Sequence, residues 1–117
     1  MVVSAIAPWP PGRATERIRA LVADDTFGIT PTKHAKERMA ERDLIIGDVL
    51  HVLRYGYVHE EAESSTQDGY YKYTMESTTP NSNGRTVKVV VIPSLPGHTC
   101  EVKLITVMWA DEPSAVR

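Results

Sequence analysis

The sequence TKHAKERMAER, residues 32–42, predicts a charged helix that leads into a short antiparallel sheet. Pro31 and Thr32 suit a helix start, because proline has no backbone N–H to lose there and a threonine hydroxyl can accept a hydrogen bond from the first turn. Ala35 and Met39 lie about one turn apart and form a narrow apolar stripe. We therefore expect one side of this helix to be buried and the others to be solvated.

Two further helices are predicted on either side of this one. Ile18, Leu21 and Val22 recur at helical spacing, which favours a first helix from residue 13 to about residue 25. A third helix should end at Gly56, in the left-handed conformation that often terminates a helix. Its apolar face consists of Val49, Leu50 and Leu53.

After Gly56 the apolar residues alternate, which indicates strands. Short connections separate them, and such connections favour antiparallel neighbours. We therefore predict an α+β domain, with two or three N-terminal helices packed on a four-stranded antiparallel sheet. The predicted strands are residues 57–63, 70–76, 86–92 and 100–108, with turns at 67–69, 80–84 and 93–97, and residues 27–30 form a brief extended link. The domain spans residues 13–110, between a flexible Pro-rich arm, residues 1–12, and a C-terminal tail, residues 111–117.

Length and composition restrict the class of protein. With 117 residues and 42% hydrophobic content, the chain can build one modest core. Its apolar runs are too short to cross a bilayer, so we expect a cytoplasmic protein with no membrane attachment. The single Cys100 allows neither an internal disulfide nor a Cys-based zinc site, and no histidine has metal-ligand spacing. No metal or other cofactor is therefore expected.

The charge pattern bears on nucleic-acid binding. The formal net charge of −2 gives no global attraction for RNA. Carboxylates cluster between residues 60 and 68, however, whereas cations predominate between residues 69 and 110. A local basic face is compatible with this distribution, and its members would be Lys72, Arg85, Lys88 and Lys103.

His34, Arg38 and Arg42 form a row beside the buried stripe of the charged helix, within about 80° on a helical wheel. An imidazole next to two guanidinium groups is suited to a phosphodiester, because histidine transfers protons near neutral pH and arginine stabilises developing negative charge. The alternative is an ordinary solvated face on which the arginine stems cover apolar neighbours.

The sheet offers further candidates. Alternation turns Tyr71, Tyr73 and Met75 inward and Lys72 outward, and it turns Val87, Val89 and Val91 inward and Lys88 outward, with Arg85 near the adjoining loop. Tyr70 could stack on a base of single-stranded RNA, or it could be a half-buried strand residue. The alternative for Lys72 is an ordinary solvated surface lysine.

Several separated motifs follow one another along the chain. They are Thr32-x-His34-Ala35-x-Glu37-Arg38-Met39-x-Glu41-Arg42, Asp48-Val49-x-x-Val52-Leu53-x-x-Gly56 and Asp68-Gly69-Tyr70-x-Lys72-Tyr73, followed by Val89-Val90-Val91 and Ile105-Thr106-Val107. In this order they resemble a known bacterial family, the domain of unknown function 4258, and the likeness covers roughly residues 27–109. Members usually carry glycine and a small polar cap where this chain has Asp43 and Ile45.

That family is similar to the RelE, BrnT and MqsR ribonuclease toxins, so the resemblance implies a RelE-like fold and a metal-independent endoribonuclease that cleaves messenger RNA. The implied partners are RNA and a cognate antitoxin of the zinc-finger or helix-turn-helix type, and a homodimer is left open. In this hypothesis His34, Arg38 and Lys72 are catalytic, and the substrate is bound by Arg42, Tyr70, Arg85 and Lys88. The alternative is a non-catalytic protein-binding module on the same scaffold, which the acidic stretch near Glu60 favours.

Overall fold

Three helices cover one face of an open six-stranded sheet in this computed structural model, which describes residues 8–67, 69–94 and 100–112. All three helices contribute side chains to one hydrophobic core, which they share with the central strands. The elements in chain order are α1 (Pro11–Val22), β1 (Gly28–Pro31), α2 (Lys33–Glu41), α3 (Ile46–Tyr55), β2 (Tyr57–Val58), β3 (Glu63–Ser64), β4 (Tyr71–Thr78), β5 (Thr86–Pro93) and β6 (Glu101–Trp109).

The sheet has the strand order β1-β6-β5-β4-β2, and β3 also pairs with β4. β4, β5 and β6 form an antiparallel meander, as the sequence predicts. The α+β class and the three helices are confirmed, whereas the prediction of four strands is wrong, since the described residues form six. Residue 68 of the first predicted turn and residues 95–97 of the third lie outside the described residues, as do residues 98 and 99.

The extra strands arise from pairings that the local sequence does not signal. β1 lies in the stretch predicted as an extended link, and it pairs in parallel with β6, with Gly28 opposite Glu101. The predicted strand 57–63 divides into two short strands. Of these, β2 pairs antiparallel with the middle of β4, and β3 pairs antiparallel with its start.

Alternate residues of the central strands face the helices. Tyr73 and Met75 are buried on β4, and Val87, Val89 and Val91 are completely buried on β5, as predicted. Side chains at the intervening positions therefore point to the other side of the sheet, which none of the three helices covers. We call this side the open face.

A bulge in β6 fixes the start of α2. The pairing shifts between Val90 and Val91, which leaves Ile105 as an extra residue on β6. The Thr32 hydroxyl accepts a hydrogen bond from the Ala35 N–H at 3.0 Å and donates one to the Ile105 carbonyl at 3.1 Å. The prediction that Thr32 caps α2 is confirmed, and the same hydroxyl ties the helix to the sheet.

Gly56 ends α3, but not in the predicted left-handed conformation. Its φ of −82° and ψ of −176° are extended. Glycine is needed there for space, because a Cβ atom would lie 2.6 Å from the Val52 carbonyl oxygen and 2.7 Å from the Glu76 carbonyl oxygen. The left-handed conformation occurs earlier, at Asp43 between α2 and α3, where φ is 56°.

α1 begins at Pro11, within the segment predicted as an arm, and ends at Val22. The Trp9 ring stacks on Tyr73 with 5.4 Å between the ring centroids, and the Trp9 N–H donates to the Tyr73 hydroxyl at 2.8 Å. The chain is thus packed on the domain from Trp9 onward. Residues 1–7 lie outside the described residues.

A buried carboxylate holds the start of α3. Asp48, which is 3% exposed, accepts hydrogen bonds from the Ile45 N–H at 2.9 Å, the Thr79 hydroxyl at 2.7 Å and the Asn81 amide at 3.1 Å. Burial alone would raise the pKa of Asp48, but these hydrogen bonds outweigh it and hold the pKa below its usual value. The carboxylate therefore joins α3 to the turn between β4 and β5.

We expect Asp48→Asn to lower the free energy of unfolding by about 2 kcal/mol at neutral pH, because an amide nitrogen cannot accept the hydrogen bonds that this site donates. The contribution of Asp48 is fully present above its usual pKa of 3.8 and is lost as the pH falls through the lower folded-state pKa. The difference between the two proteins should therefore shrink in strong acid. Urea unfolding at several pH values measures it. Asp25→Asn, at an exposed position, is the control, and equal stability of all three proteins at neutral pH would contradict the prediction.

Candidate functional site

His34 and Arg38 lie side by side on α2. The distance from Arg38 Nε to His34 Nε2 is 3.5 Å, and the Arg38 guanidinium also forms an ion pair with Glu41. His34 is exposed and Arg38 is half-buried. In this arrangement the N–H of Arg38 Nε points toward His34 Nε2. A phosphate that bound Arg38 would therefore lie next to a group able to accept a proton.

Arg42, the third cation of the predicted row, follows α2 as its C-cap residue. Its Nε and one terminal nitrogen bind the two carboxylate oxygens of Glu112 at 2.8 and 2.5 Å. The hydrogen bonds and charge of Arg42 lower the pKa of Glu112 to about 2. Arg42 is thus part of a strong bidentate ion pair in this structure. Arg38, in contrast, contacts Glu41 through one terminal nitrogen.

Arg85 lies in the same cleft as Arg42, although it comes from the turn between β4 and β5. Its Nε and one terminal nitrogen bind the two carboxylate oxygens of Asp111, at 3.2 and 2.7 Å, and its guanidinium lies 4.0 Å from the centroid of the Trp109 ring. The hydrogen bonds from Arg85 lower the pKa of Asp111. The cleft is lined by Glu41, Arg42, Asp43, Asn81, Ser82, Asn83, Arg85, Trp109 and Glu112.

Lys72 and Lys88 occupy a different part of the molecule from His34. Both alternate with buried residues of β4 and β5, so they lie on the open face, whereas α2 packs on the opposite face of the sheet. Lys72 lies 3.8 Å from a carboxylate oxygen of Glu63, and Lys88 lies 3.3 Å from one of Glu60. The structure therefore does not bring Lys72 into one centre with His34 and Arg38.

Tyr70 lies in a second cleft, and it is half-buried there. Lys103 also lines this cleft, together with Ile92 and Gln67. Lys103 projects to the open face, because its neighbours Val102 and Leu104 are buried. The predicted site residues thus fall into two groups. His34, Arg38, Arg42 and Arg85 lie on the helix side or at its margin, and Tyr70, Lys72 and Lys88 lie on or beside the open face.

Sequence reasoning missed Asp111 and Glu112, which it assigned to a tail. Their side chains hold two of the predicted substrate-binding arginines, and Glu112 also accepts a hydrogen bond from the Trp109 N–H at 2.8 Å. An acidic pair immediately after the last strand was the available signal, but nothing in the sequence indicates which cations it contacts.

Residues 8–67, 69–94 and 100–112 contain neither a transmembrane helix nor a metal-binding cluster. No helix in these ranges is long and apolar enough to cross a membrane. No group of three or more histidine, cysteine, aspartate or glutamate side chains within them could hold a metal ion.

A family model described as Domain of unknown function (DUF4258) matches residues 32–109 of the 117-residue chain. The chain belongs to this family. The DUF4258 match runs from the cap of α2 to the end of β6, so it includes His34, Arg38, Arg42 and Arg85 and stops before Asp111 and Glu112. No curated protein and no solved structure matches the chain.

Proposed function

We propose that this DUF4258 protein is a metal-independent endoribonuclease, similar in fold and chemistry to the RelE- and BrnT-like toxins, that cleaves messenger RNA and is inhibited by a cognate antitoxin. The observation that carries the proposal is the pair of His34 Nε2 and Arg38 Nε, 3.5 Å apart at the exposed side of α2. This pair combines a proton acceptor with a permanent cation that can bind a phosphate.

The reaction uses the 2′-hydroxyl of the RNA as nucleophile. His34 takes the proton of this hydroxyl as its oxygen attacks the neighbouring phosphorus, and Arg38 stabilises the extra negative charge on the phosphate oxygens. The bond from phosphorus to the 5′-oxygen then breaks, and the protonated imidazole returns a proton to that oxygen. The products carry a 2′,3′-cyclic phosphate and a 5′-hydroxyl.

Lys72 has no part in this chemical step, because it lies across the sheet from His34. Arg42 and Arg85 are closer to the helix side and remain the best candidates for binding the phosphates of a single strand. Tyr70 and Lys88 could contact RNA only where a strand passes round to the open face. The proposal therefore depends on two catalytic residues rather than three.

The test is incubation of the purified protein with labelled RNA in the presence of EDTA, both as free RNA and in a translating extract. We expect cleavage that is insensitive to EDTA, with 5′-hydroxyl and 2′,3′-cyclic phosphate ends, and we expect the product of the adjacent gene to suppress it. Cleavage that required a divalent cation, or intact RNA in both settings, would refute the proposal.

A second candidate function is that of a non-catalytic module that binds a protein through the open face. Pairing of Lys72 with Glu63 and of Lys88 with Glu60 favours it, because this face offers mixed charges around apolar residues rather than a purely cationic surface. Binding of the adjacent gene product by a protein that leaves RNA intact would support this second function over the first.

A further inference from the structure

The cleft between Arg42 and Arg85 is already filled by carboxylates from the segment after β6. Each arginine uses its Nε and one terminal nitrogen to bind both oxygens of one carboxylate, Glu112 for Arg42 and Asp111 for Arg85. The ion pairs on the open face differ from these arginine pairs, because each joins a lysine to a glutamate through a single contact. The distance is 3.8 Å for Lys72 and 3.3 Å for Lys88. In this cleft, each of the two guanidinium groups is therefore bound to one carboxylate through two hydrogen bonds.

A guanidinium fork binds the oxygens of a phosphate in the same way as those of a carboxylate. The two arginines come from separate elements, the end of α2 and the turn before β5, so the fold itself brings them to one cleft. The Trp109 ring lies under the Arg85 guanidinium and supports its position in the cleft through a cation–π contact. Asn83 adds a polar side chain at the lining. These features suit a phosphodiester strand of single-stranded nucleic acid.

The segment that holds the carboxylates begins directly after the last strand of the sheet. β6 ends at Trp109, and the next residues form a turn in which the Glu112 N–H donates to the Trp109 carbonyl at 3.3 Å. The side chain of Asp111 is 61% exposed and that of Glu112 is 26% exposed. Both carboxylates could leave the arginines without a change in the pairing of β5 with β6.

We propose that the cleft between Arg42 and Arg85 is a binding site for the phosphates of single-stranded nucleic acid, and that Asp111 and Glu112 occupy it as built-in competitors in the unliganded protein. The identity of the ligand as RNA rests on the proposed function, whereas the competition itself does not. Only molecules in which the competitor has left the site can bind the ligand. The apparent association constant is therefore the intrinsic one multiplied by the fraction of molecules whose site is free. The two carboxylates also neutralise the charges of the two arginines. A phosphate-binding cleft is therefore compatible with the net charge of −2.

The test measures the affinity of the full chain for a short fluorescein-labelled 2′-deoxyuridine oligonucleotide by fluorescence anisotropy. This probe has phosphodiesters but no 2′-hydroxyl, so the measurement is independent of RNA cleavage. We expect Asp111→Asn/Glu112→Gln to tighten binding by about tenfold.

The matched control is Glu60→Gln/Glu63→Gln, which changes the net charge by the same amount but frees the lysines of the open face. A second control adds Arg85→Gln to Asp111→Asn/Glu112→Gln and should remove most of the gain. If the first double variant does not fold, Asp111→Asn alone, compared with Glu60→Gln, should tighten binding by a smaller factor. Equal affinities for the two double variants, or for these two single variants, would overturn the inference.

The two proposals can fail separately. Tighter binding after removal of Asp111 and Glu112, in a protein that leaves RNA intact, would retain the competition and refute the ribonuclease. RNA cleavage by the protein, together with unchanged oligonucleotide binding in these variants, would retain the ribonuclease and refute the competition.

Discussion

Replacing His34 by alanine is expected to reduce RNA cleavage by about 100-fold or more, because the 2′-hydroxyl loses the group that accepts its proton. Arg38→Ala should cause a loss of similar size, because the phosphate loses the charge that stabilises it in the transition state. Initial rates on a labelled RNA, measured with saturating enzyme, give the effect on the chemical step directly.

Two controls separate chemistry from charge and folding. Lys33→Ala removes an exposed cation from the same helix, and His59→Ala removes an exposed histidine from another part of the chain. Both should retain most of the activity. All four variants change side chains outside the buried core, so their thermal unfolding should stay close to that of the unchanged protein. Full activity of His34→Ala or Arg38→Ala would refute the assignment of these residues.

Gly56→Ala is expected to lower the free energy of unfolding by about 3 kcal/mol or more, because the added methyl group meets two backbone carbonyls rather than flexible side chains. The gaps of 2.6 Å to the Val52 oxygen and 2.7 Å to the Glu76 oxygen require α3 and β4 to move apart. Arg19, which donates to the Gly56 carbonyl at 2.8 and 3.1 Å, would be displaced as well. Chemical unfolding followed by circular dichroism measures the loss.

Gly47→Ala is the matched control, because it adds the same methyl group to another glycine of the α3 region. Its Cβ atom would lie 3.5 Å from the side chain of Ile45, which is an ordinary contact. Alanine is also favoured over glycine in a helix, so this variant should be unchanged or more stable by about 0.5 kcal/mol. A Gly56→Ala protein as stable as Gly47→Ala would show that the close approach at Gly56 is not restrictive.

The parts of the fold that the sequence predicts well depend on neighbouring residues. Thr32 caps α2 through its own first turn, and the strands of the meander follow each other across short connections. β1 was missed because its partner lies more than 70 residues away and its pairing is parallel, so no turn sequence marks it. The conformation of Gly56 was mispredicted because its cause is the backbone of β4, which is also distant in sequence.

The candidate site could be predicted only within a single element. The spacing of His34 and Arg38 on one helix is sufficient to place them together. The position of Lys72 relative to them depends on which face of the sheet the helices cover, and strand alternation alone does not determine this. The contacts of Arg42 and Arg85 with Glu112 and Asp111 depend on where the chain turns after β6, which has no local signature.

The edge strands of the sheet limit how another protein could bind. β1 has four residues and ends in Pro31, which has no N–H to offer a further strand, and β2 and β3 have two residues each. Short edge strands of this kind offer few backbone groups to which a strand of another chain could bond. This also protects the protein from aggregation through strand addition. We therefore expect a protein partner, including the proposed antitoxin, to recognise side chains of the helices or of the open face instead of extending the sheet.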